Sequence, residues 1–260
     1  MKVDKNTRIK IIVDILRHKN AVTIKELTKK LGVSEMTIRR DLVLLGNDNI
    51  VELIPGGALL KVPRDEIRNN EKYYIYNEES RRTREKLRIG QQAASMVEQN
   101  DTIILDVGST VEHIAKFIPN DMSVTILCYA LNILVEVYRK RSCNPILAGG
   151  FLHENTLMFE SSEGIELIRR TRADKGFISA AGFHETLGVT CANTYEVETK
   201  RSAIRSSKTK ILTIDSTKFG KTKIGYFADI DDFDIIITDS DIPDEYRAVI
   251  SNHGIELIIV

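Results

Sequence analysis

The chain has 260 residues, 42% of them hydrophobic, enough to bury a sizeable core as one large domain or two ordinary ones. Its longest apolar runs, such as 235–237 and 257–260, fall far short of the roughly 20 residues a membrane-spanning helix needs, and the polar start MKVDKNTRIK does not read as a signal peptide. Formal net charge is zero, yet residues 1–60 hold 11 Lys/Arg against 7 Asp/Glu and the other 200 hold 26 against 30, so a basic module of +4 precedes an acidic one of −4. Cys128, Cys143 and Cys191 are odd in number and lack CxxC spacing. They predict buried thiols in a reducing compartment, and the chain reads as a cytoplasmic protein without a membrane partner.

Ile9, Ile12, Val13 and Leu16 recur at helical spacing and predict a first helix ending near 18–21. Thr23 is the expected N-cap of a second helix with Ile24, Leu27 and Leu31 on its buried face, and Gly32 supplies the turn after it. Ser34 can cap a third helix in which Ile38, Leu42 and Leu45 line one face, leaving Glu35, Met36, Thr37, Arg39 and Arg40 elsewhere. Two short helices joined by LGVS, the second opening polar and basic, have the proportions of a helix-turn-helix. Periodicity alone also allows a plain three-helix bundle with a solvated charged face. Further on, Gly56 and Gly57 suit a turn that needs positive φ.

Residues 59–70 lose periodicity and include Pro63, which predicts a linker over 58–75 between an N-terminal module, 1–57, and a larger domain, 76–260. In the larger domain helical and β-rich segments alternate, as in an α/β fold. Helices are expected over 87–97, 111–118 and 131–138, and strands at TIILD, VTILC, KGFISA, KILTID, DIIIT and ELIIV. The first of these strands runs into Asp106-Val107-Gly108-Ser109-Thr110. In a parallel sheet such a loop lies where ligands bind, and Gly followed by hydroxyl residues at a helix N-terminus can surround a phosphate. The simpler alternative is that Ser109 or Thr110 caps the helix. Histidines 113, 153, 184 and 253 show no metal-ligand spacing, so neither a metal nor another cofactor is expected.

The run TIKELTKKLGVSEMTIRRDLVLL resembles the winged-helix signature of the DeoR family of bacterial transcriptional regulators, including its VS…TIRRDL core. IVELIPGGA resembles the family's wing, with Leu53 and Ile54 where a basic residue is common. This resemblance implies that Ser34, Glu35, Thr37, Arg39 and Arg40 lie at double-stranded operator DNA, where arginine can bond guanine bidentately or neutralise phosphate. For Arg40 an ion pair within the module, with a carboxylate such as Asp41, is the alternative. Downstream, LDVGST, CYALN, AGG, SAAG and DSTKFGK occur in the order found in the DeoR-type sensor domain, so the resemblance covers nearly the whole chain.

The fold so implied is a winged helix-turn-helix followed by an α/β sensor domain of ribose-5-phosphate isomerase type. The function implied is that of a repressor controlled by a phosphorylated sugar and acting as a homo-oligomer on a two-fold operator. CYALN, SAAGFH and GVSEMTIRRDL are nearest to the deoxyribonucleoside-operon branch of the family, which makes deoxyribose 5-phosphate the leading effector. Carried over residue by residue, Asp106, Gly108, Ser109 and Thr110 form the first ligand loop, with Tyr129 and Asn132 near the end of the second strand. Tyr129 stands where many relatives have Asn. Gly149 and Gly150 would let backbone approach the ligand, Ala181 and Gly182 would line another edge, and Lys218 is the expected phosphate cation. His153 and His184 are close enough in sequence to reach a sugar hydroxyl, ordinary loop placement being the alternative.

An enzyme is the competing class, a sugar-phosphate isomerase fused to a DNA-binding module. Isomerisation through an enediol needs a positioned carboxylate base, which the isomerases carry in a DGxDE segment. That segment is absent, the corresponding GFISAAGF has no carboxylate, and Glu196 and Glu198 in YEVETK read as the acidic start of a helix. The expectation is therefore a binding site with no catalytic residue. A sensor domain serving only to oligomerise is a third reading, against which stand the five pocket-type segments in order.

Overall fold

The computed structural model describes residues 5–19, 21–47, 50–60, 75, 78 and 82–260. The chain divides into two compact units, Met1–Lys72 and Tyr73–Val260. Most of the expected linker, 58–75, lies outside the described residues.

In the first unit α1 (Lys5–Lys19), α2 (Ile24–Leu31) and α3 (Glu35–Asn47) close around Ile12, Leu16, Leu27, Ile38, Leu42 and Leu45. Local chemistry fixes the α2 boundaries. Thr23 Oγ1 accepts from the Glu26 N–H at 3.2 Å while the Glu26 carboxylate accepts from the Thr23 N–H at 2.9 Å, a reciprocal cap that satisfies donors the helix leaves unpaired. Gly32 ends the helix in the left-handed region, at φ 64°, and its N–H donates to the Thr28 carbonyl. Ser34 Oγ accepts from the Thr37 N–H at 3.3 Å, the expected cap of α3.

A short strand that periodicity did not reveal, β1 (Ala21–Thr23), joins β2 (Val51–Ile54) and β3 (Gly57–Leu60) in an antiparallel sheet of order β1-β3-β2. Only Gly56 of the expected glycine pair has positive φ, 82°. Gly57 is required sterically instead, because a Cβ there would lie 2.3 Å from the Val22 carbonyl oxygen and push β1 off β3. Asp41 is buried and accepts from Arg8 of α1, at 2.6 Å from Nε and 3.2 Å from Nη2. The carboxylate of the TIRRDL run thus ties α3 to α1 through a two-point ion pair.

The second unit is built on a seven-stranded parallel sheet of order β15-β14-β12-β9-β4-β5-β6. Its strands are β4 (Thr102–Leu105), β5 (Val124–Cys128), β6 (Cys143–Leu147), β9 (Ala173–Ile178), β12 (Ser207–Thr213), β14 (Ile235–Thr238) and β15 (Glu256–Ile259). Ile103, Ile104, Ile126, Phe177, Ile211 and Ile236 are fully buried, and such near-continuous apolar strands belong to a sheet covered on both faces. All six expected strands are present. The seventh, CNPIL, contains Pro145 and occupies an edge, where proline within a sheet is tolerated.

Helices α4 (Thr83–Ser95), α5 (Ser109–Phe117), α6 (Leu131–Tyr138), α7 (Ser162–Arg170), α8 (Val197–Ser206) and α9 (Asp244–Asn252) lie between and before the strands. A hairpin, β7 (Phe151–His153) with β8 (Met158–Glu160), and a small antiparallel sheet, β10 (Gly182–His184), β11 (Gly188–Cys191) and β13 (Gly225–Ala228), complete the unit. The chain steps from β4 outward through β5 to β6, then returns to β9 on the other side of β4 and proceeds outward again. That reversal makes a topological switch point between β4 and β9, where loops leaving the carboxyl ends diverge and open a crevice. The three thiols are free and buried. Among the described residues no helix is long and apolar enough to cross a membrane.

Candidate functional site

The crevice is a narrow cleft with about 30 Å³ of interior open to water. It is walled by the loop after β4 (Gly108, Ser109, Thr110), the loop after β9 (Ser179, Ala180, Ala181), the end of β11 (Cys191, Ala192) and the segment after β12 (Asp215, Lys218). Glu78, Lys86, Glu196 and Lys200 complete its charged lining.

Gly108 fixes the first wall. It has φ 133° and ψ 154°, and a Cβ there would meet Ser179 Oγ at 2.9 Å, so glycine is needed for both conformation and space. Gly108 occupies the N-cap position of α5 and supplies no side-chain cap, so Ser109 and Thr110 are the first two helical residues rather than the cap. Both are at least nine-tenths buried, and neither hydroxyl has a hydrogen-bond partner among the described residues. The first turn of α5 therefore brings uncapped N–H groups, two unengaged hydroxyls and the positive end of a helix dipole to one cleft wall.

Beneath this wall lies a buried charged cluster. Lys200 Nζ donates to Asp106 Oδ2 at 2.5 Å, to the Ser179 carbonyl at 3.1 Å and to Ser179 Oγ at 3.2 Å. Asp106 also accepts from Tyr129 Oη at 2.6 Å and from the Ser179 N–H at 2.8 Å. Burial opposes the Lys200 charge, but Asp106 and Glu196 outweigh it and hold the ammonium above its ordinary pKa. Burial pushes the Tyr129 phenol well up, with Asp106 adding to it. Burial raises the Glu196 carboxyl, partly offset by Lys200 and Asn193. The Cys191 thiol is pushed up to about 12, by burial and then by Glu196. Lys218 stands at the cleft edge, its Nζ 2.6 Å from Glu78 Oε2 and 4.0 Å from Asp215 Oδ2.

Of the effector residues expected from sequence, the structure brings Gly108, Ser109, Thr110, Ala181 and Lys218 together in the cleft lining. It places the others elsewhere. Asp106 and Tyr129 are fully buried behind the loop, bonded to each other. Asn132 Nδ2 donates to Glu112 at 2.7 Å. Gly149 and Gly150 precede the β7–β8 hairpin outside the lining, and a Cβ on Gly150 would lie 2.2 Å from the Glu160 carbonyl oxygen. Gly182 packs against the Lys221 backbone, at 2.4 Å from its would-be Cβ. His153 stacks on Tyr195 with ring centroids 3.6 Å apart and bonds Glu160, while His184 Nδ1 accepts from the Thr186 and Leu187 N–H groups.

Residues 81–240 match the family model of the DeoR C-terminal sensor domain, and residues 8–63 match that of the DeoR-like helix-turn-helix domain. The chain belongs to the DeoR family. It is 31% identical over 258 residues to the deoxyribose operon repressor of Escherichia coli strain K12, covering 99% of this chain and 100% of that protein. It is 32% identical over 232 residues to the HTH-type transcriptional regulator GolR of Listeria innocua, covering 89% of each. Ribose 5-phosphate isomerase A of Methanocaldococcus jannaschii aligns over 52% of this chain and 53% of that one, at 13% identity and a TM-score of 0.39. This DeoR-family chain is a DNA-binding transcriptional regulator and not an enzyme, its curated relatives being named as repressors or transcriptional regulators.

In the helix-turn-helix of this DeoR member, Glu35, Arg39 and Arg40 are exposed along α3 and Thr37 is half-buried, its hydroxyl 2.9 Å from that of Ser34. Met36, 61% exposed beside them, is an apolar side chain on the same leading turn. Sequence reasoning passes over Glu78, Lys86, Ser179 and Lys200 in the cleft, takes Cys191 only as a buried thiol and takes Glu196 only as the acidic start of a helix. For Ser179 a signal existed, since the SAAG segment was recognised but read one step too far along. For Glu196 and Lys200 the i,i+4 spacing is that of an ordinary solvated pair, and nothing local shows that it is buried.

Proposed function

We propose that the cleft binds the phosphate of a phosphorylated sugar, with deoxyribose 5-phosphate as the leading effector, and that occupancy changes operator affinity in a homo-oligomeric cytoplasmic repressor. The observation that carries this reading is the uncapped first turn of α5, where the largely buried Ser109 and Thr110 present unengaged hydroxyls to a cleft that also holds Lys218. Backbone N–H groups, hydroxyls and a helix dipole converging with a lysine form the donor set that a phosphate monoester needs. The name of the E. coli relative, a repressor of a deoxyribose operon, supports the choice of sugar. Operator DNA meets the leading turns of α3, with Ser34, Glu35, Thr37, Arg39 and Arg40 as the contacting residues. Asp106 and Tyr129 act behind the loop, holding Ser179 and Lys200 in place.

Calorimetric titration with deoxyribose 5-phosphate tests the reading. Lys218→Ala should weaken binding by about 1.5–3 kcal/mol, the range of a hydrogen bond to a charged group, while leaving operator binding without effector intact. Equal affinity in parent and variant would remove Lys218 from the phosphate site. Absence of binding in both would remove deoxyribose 5-phosphate as effector.

A further inference from the structure

We propose that the Glu78 carboxylate is an internal occupant of the anion subsite at Lys218, and that competition with it sets an affinity threshold that a phosphate monoester clears and weaker anions do not. This inference rests on the effector reading above and names the residue that sets the site's charge requirement.

Glu78 is held by two of the cleft's lysines. Its Oε2 lies 2.6 Å from Lys218 Nζ, and its backbone carbonyl accepts a hydrogen bond from Lys86 Nζ. The two side chains of the Glu78–Lys218 pair are only 15% and 17% exposed, so their attraction is poorly screened. Neighbouring residues on either side are anchored to the sensor unit: the Ile75 N–H donates to the Asn155 carbonyl at 2.8 Å, and Arg82 Nη2 bonds Ser216, Asp239 and Asp241 at 2.7–2.9 Å. Glu78 is thus presented to Lys218 from within the chain, as a tethered anion at high effective concentration.

The other carboxylate near Lys218 has a different task. Asp215 Oδ1 accepts from the N–H and hydroxyl of Thr217, capping the turn 216–218, and its closest approach to Lys218 is 4.0 Å. Glu78 is the one in hydrogen-bond contact. An incoming anion that pairs with Lys218 must therefore displace the Glu78 carboxylate. A monoanionic carboxylate gains little by that exchange, because it replaces like with like and surrenders the advantage of the tether. A phosphate monoester carries about −1.5 to −2 at pH 7 and three acceptor oxygens, so it can engage Lys218 together with the first turn of α5 and the Ser109 and Thr110 hydroxyls. Glu78 weakens both classes alike, so the phosphate monoester, with its contacts beyond Lys218, is the one that still binds measurably.

The test titrates the full-length parent, Glu78→Gln and Glu78→Asp with inorganic phosphate, deoxyribose 5-phosphate and acetate. Removing the competing charge while keeping the shape should tighten phosphate and sugar-phosphate binding by about tenfold or more, and should make acetate a measurable ligand. Glu78→Asp should remain near the parent. Phosphate affinity in Glu78→Gln that equals or falls below the parent's, with the parent itself binding, would overturn the role of Glu78 and leave the effector reading standing. Failure of every phosphate compound to bind any of the three proteins would overturn both together.

Discussion

Lys200 and Lys218 line the same cleft and are held in opposite ways. Lys200 is 1% exposed, and its three ammonium donors meet Asp106, the Ser179 carbonyl and the Ser179 hydroxyl, all on the sheet's central strands and their loops. Lys218 is half-buried at the mouth, in hydrogen-bond contact with Glu78 from a segment outside the sheet. A cation saturated by fixed acceptors belongs to the architecture, because moving any partner strands a buried charge. A cation held by an exchangeable carboxylate is available to a ligand. Burial alone would have nominated Lys200 as the more important residue for binding, whereas its partners place it among the groups that hold the loops, and the proposed function takes Lys218 as the effector's cation.

The sharpest way to break this comparison is to remove the saturated lysine. Lys200→Met leaves Asp106 buried without its counter-ion, and a broken buried pair costs about 3–5 kcal/mol, so the denaturation midpoint should fall strongly. A midpoint near that of the parent would show that Asp106 is satisfied without Lys200. The equivalent change at Lys218 should move stability far less.

A comparable contrast separates the two exposed arginines of α3 from Arg8. Arg8 is locked onto Asp41 inside the first unit, while Arg39 and Arg40 are exposed on α3. Replacing Arg39 and Arg40 together by Ala should leave the fold intact and weaken operator binding, by about 1–3 kcal/mol for each arginine that reads a base. Any arginine that meets a phosphate should instead lower the salt slope by about one. Unchanged affinity and salt dependence would remove α3 from the DNA interface.

The difference between the two units also explains what could be read from sequence. In the first unit the structure follows from neighbours: Thr23 with Glu26, Gly32 at a helix end, Ser34 with Thr37. Only β1 escaped, since three residues carry no period and its pairing is with β3, more than thirty positions on. In the sensor unit the strands were legible as apolar runs, and the first cleft wall as a Gly-Ser-Thr loop. Ala181 and Lys218 of two further walls were legible too, but most of the charged lining was not, because Glu78, Lys86, Glu196 and Lys200 are charged residues whose default position is solvent. Their burial is decided by sheet order. The same cause moved Asp106 and Tyr129 from the expected ligand contacts to the support behind them.

The smallest expected effect concerns His113 on α5. It is 5% exposed, and neither ring nitrogen has a hydrogen-bond partner among the described residues. Burial lowers its pKa below the ordinary 6.5, with Lys116 and Lys86 contributing and Glu112 opposing. Above 6.5 the ring is neutral in folded and unfolded chains alike. As pH falls below that value the unfolded chain takes up a proton that folded His113 still refuses, so stability declines until the folded pKa is reached. His113→Leu should flatten that part of the stability profile between neutral pH and pH 5. An unchanged slope would mean that other groups govern it.

The central claim, that an anion in the cleft controls DNA binding, is tested most directly by titrating operator-bound protein with deoxyribose 5-phosphate, using a duplex selected from a random pool and anisotropy as the readout. The account predicts that the sugar phosphate changes operator affinity in the parent, and that Lys218→Ala needs a higher concentration for the same change, because a ligand shifts an equilibrium only through its differential affinity. Operator affinity that stays constant at concentrations saturating the cleft, or that responds identically in Lys218→Ala, would contradict it.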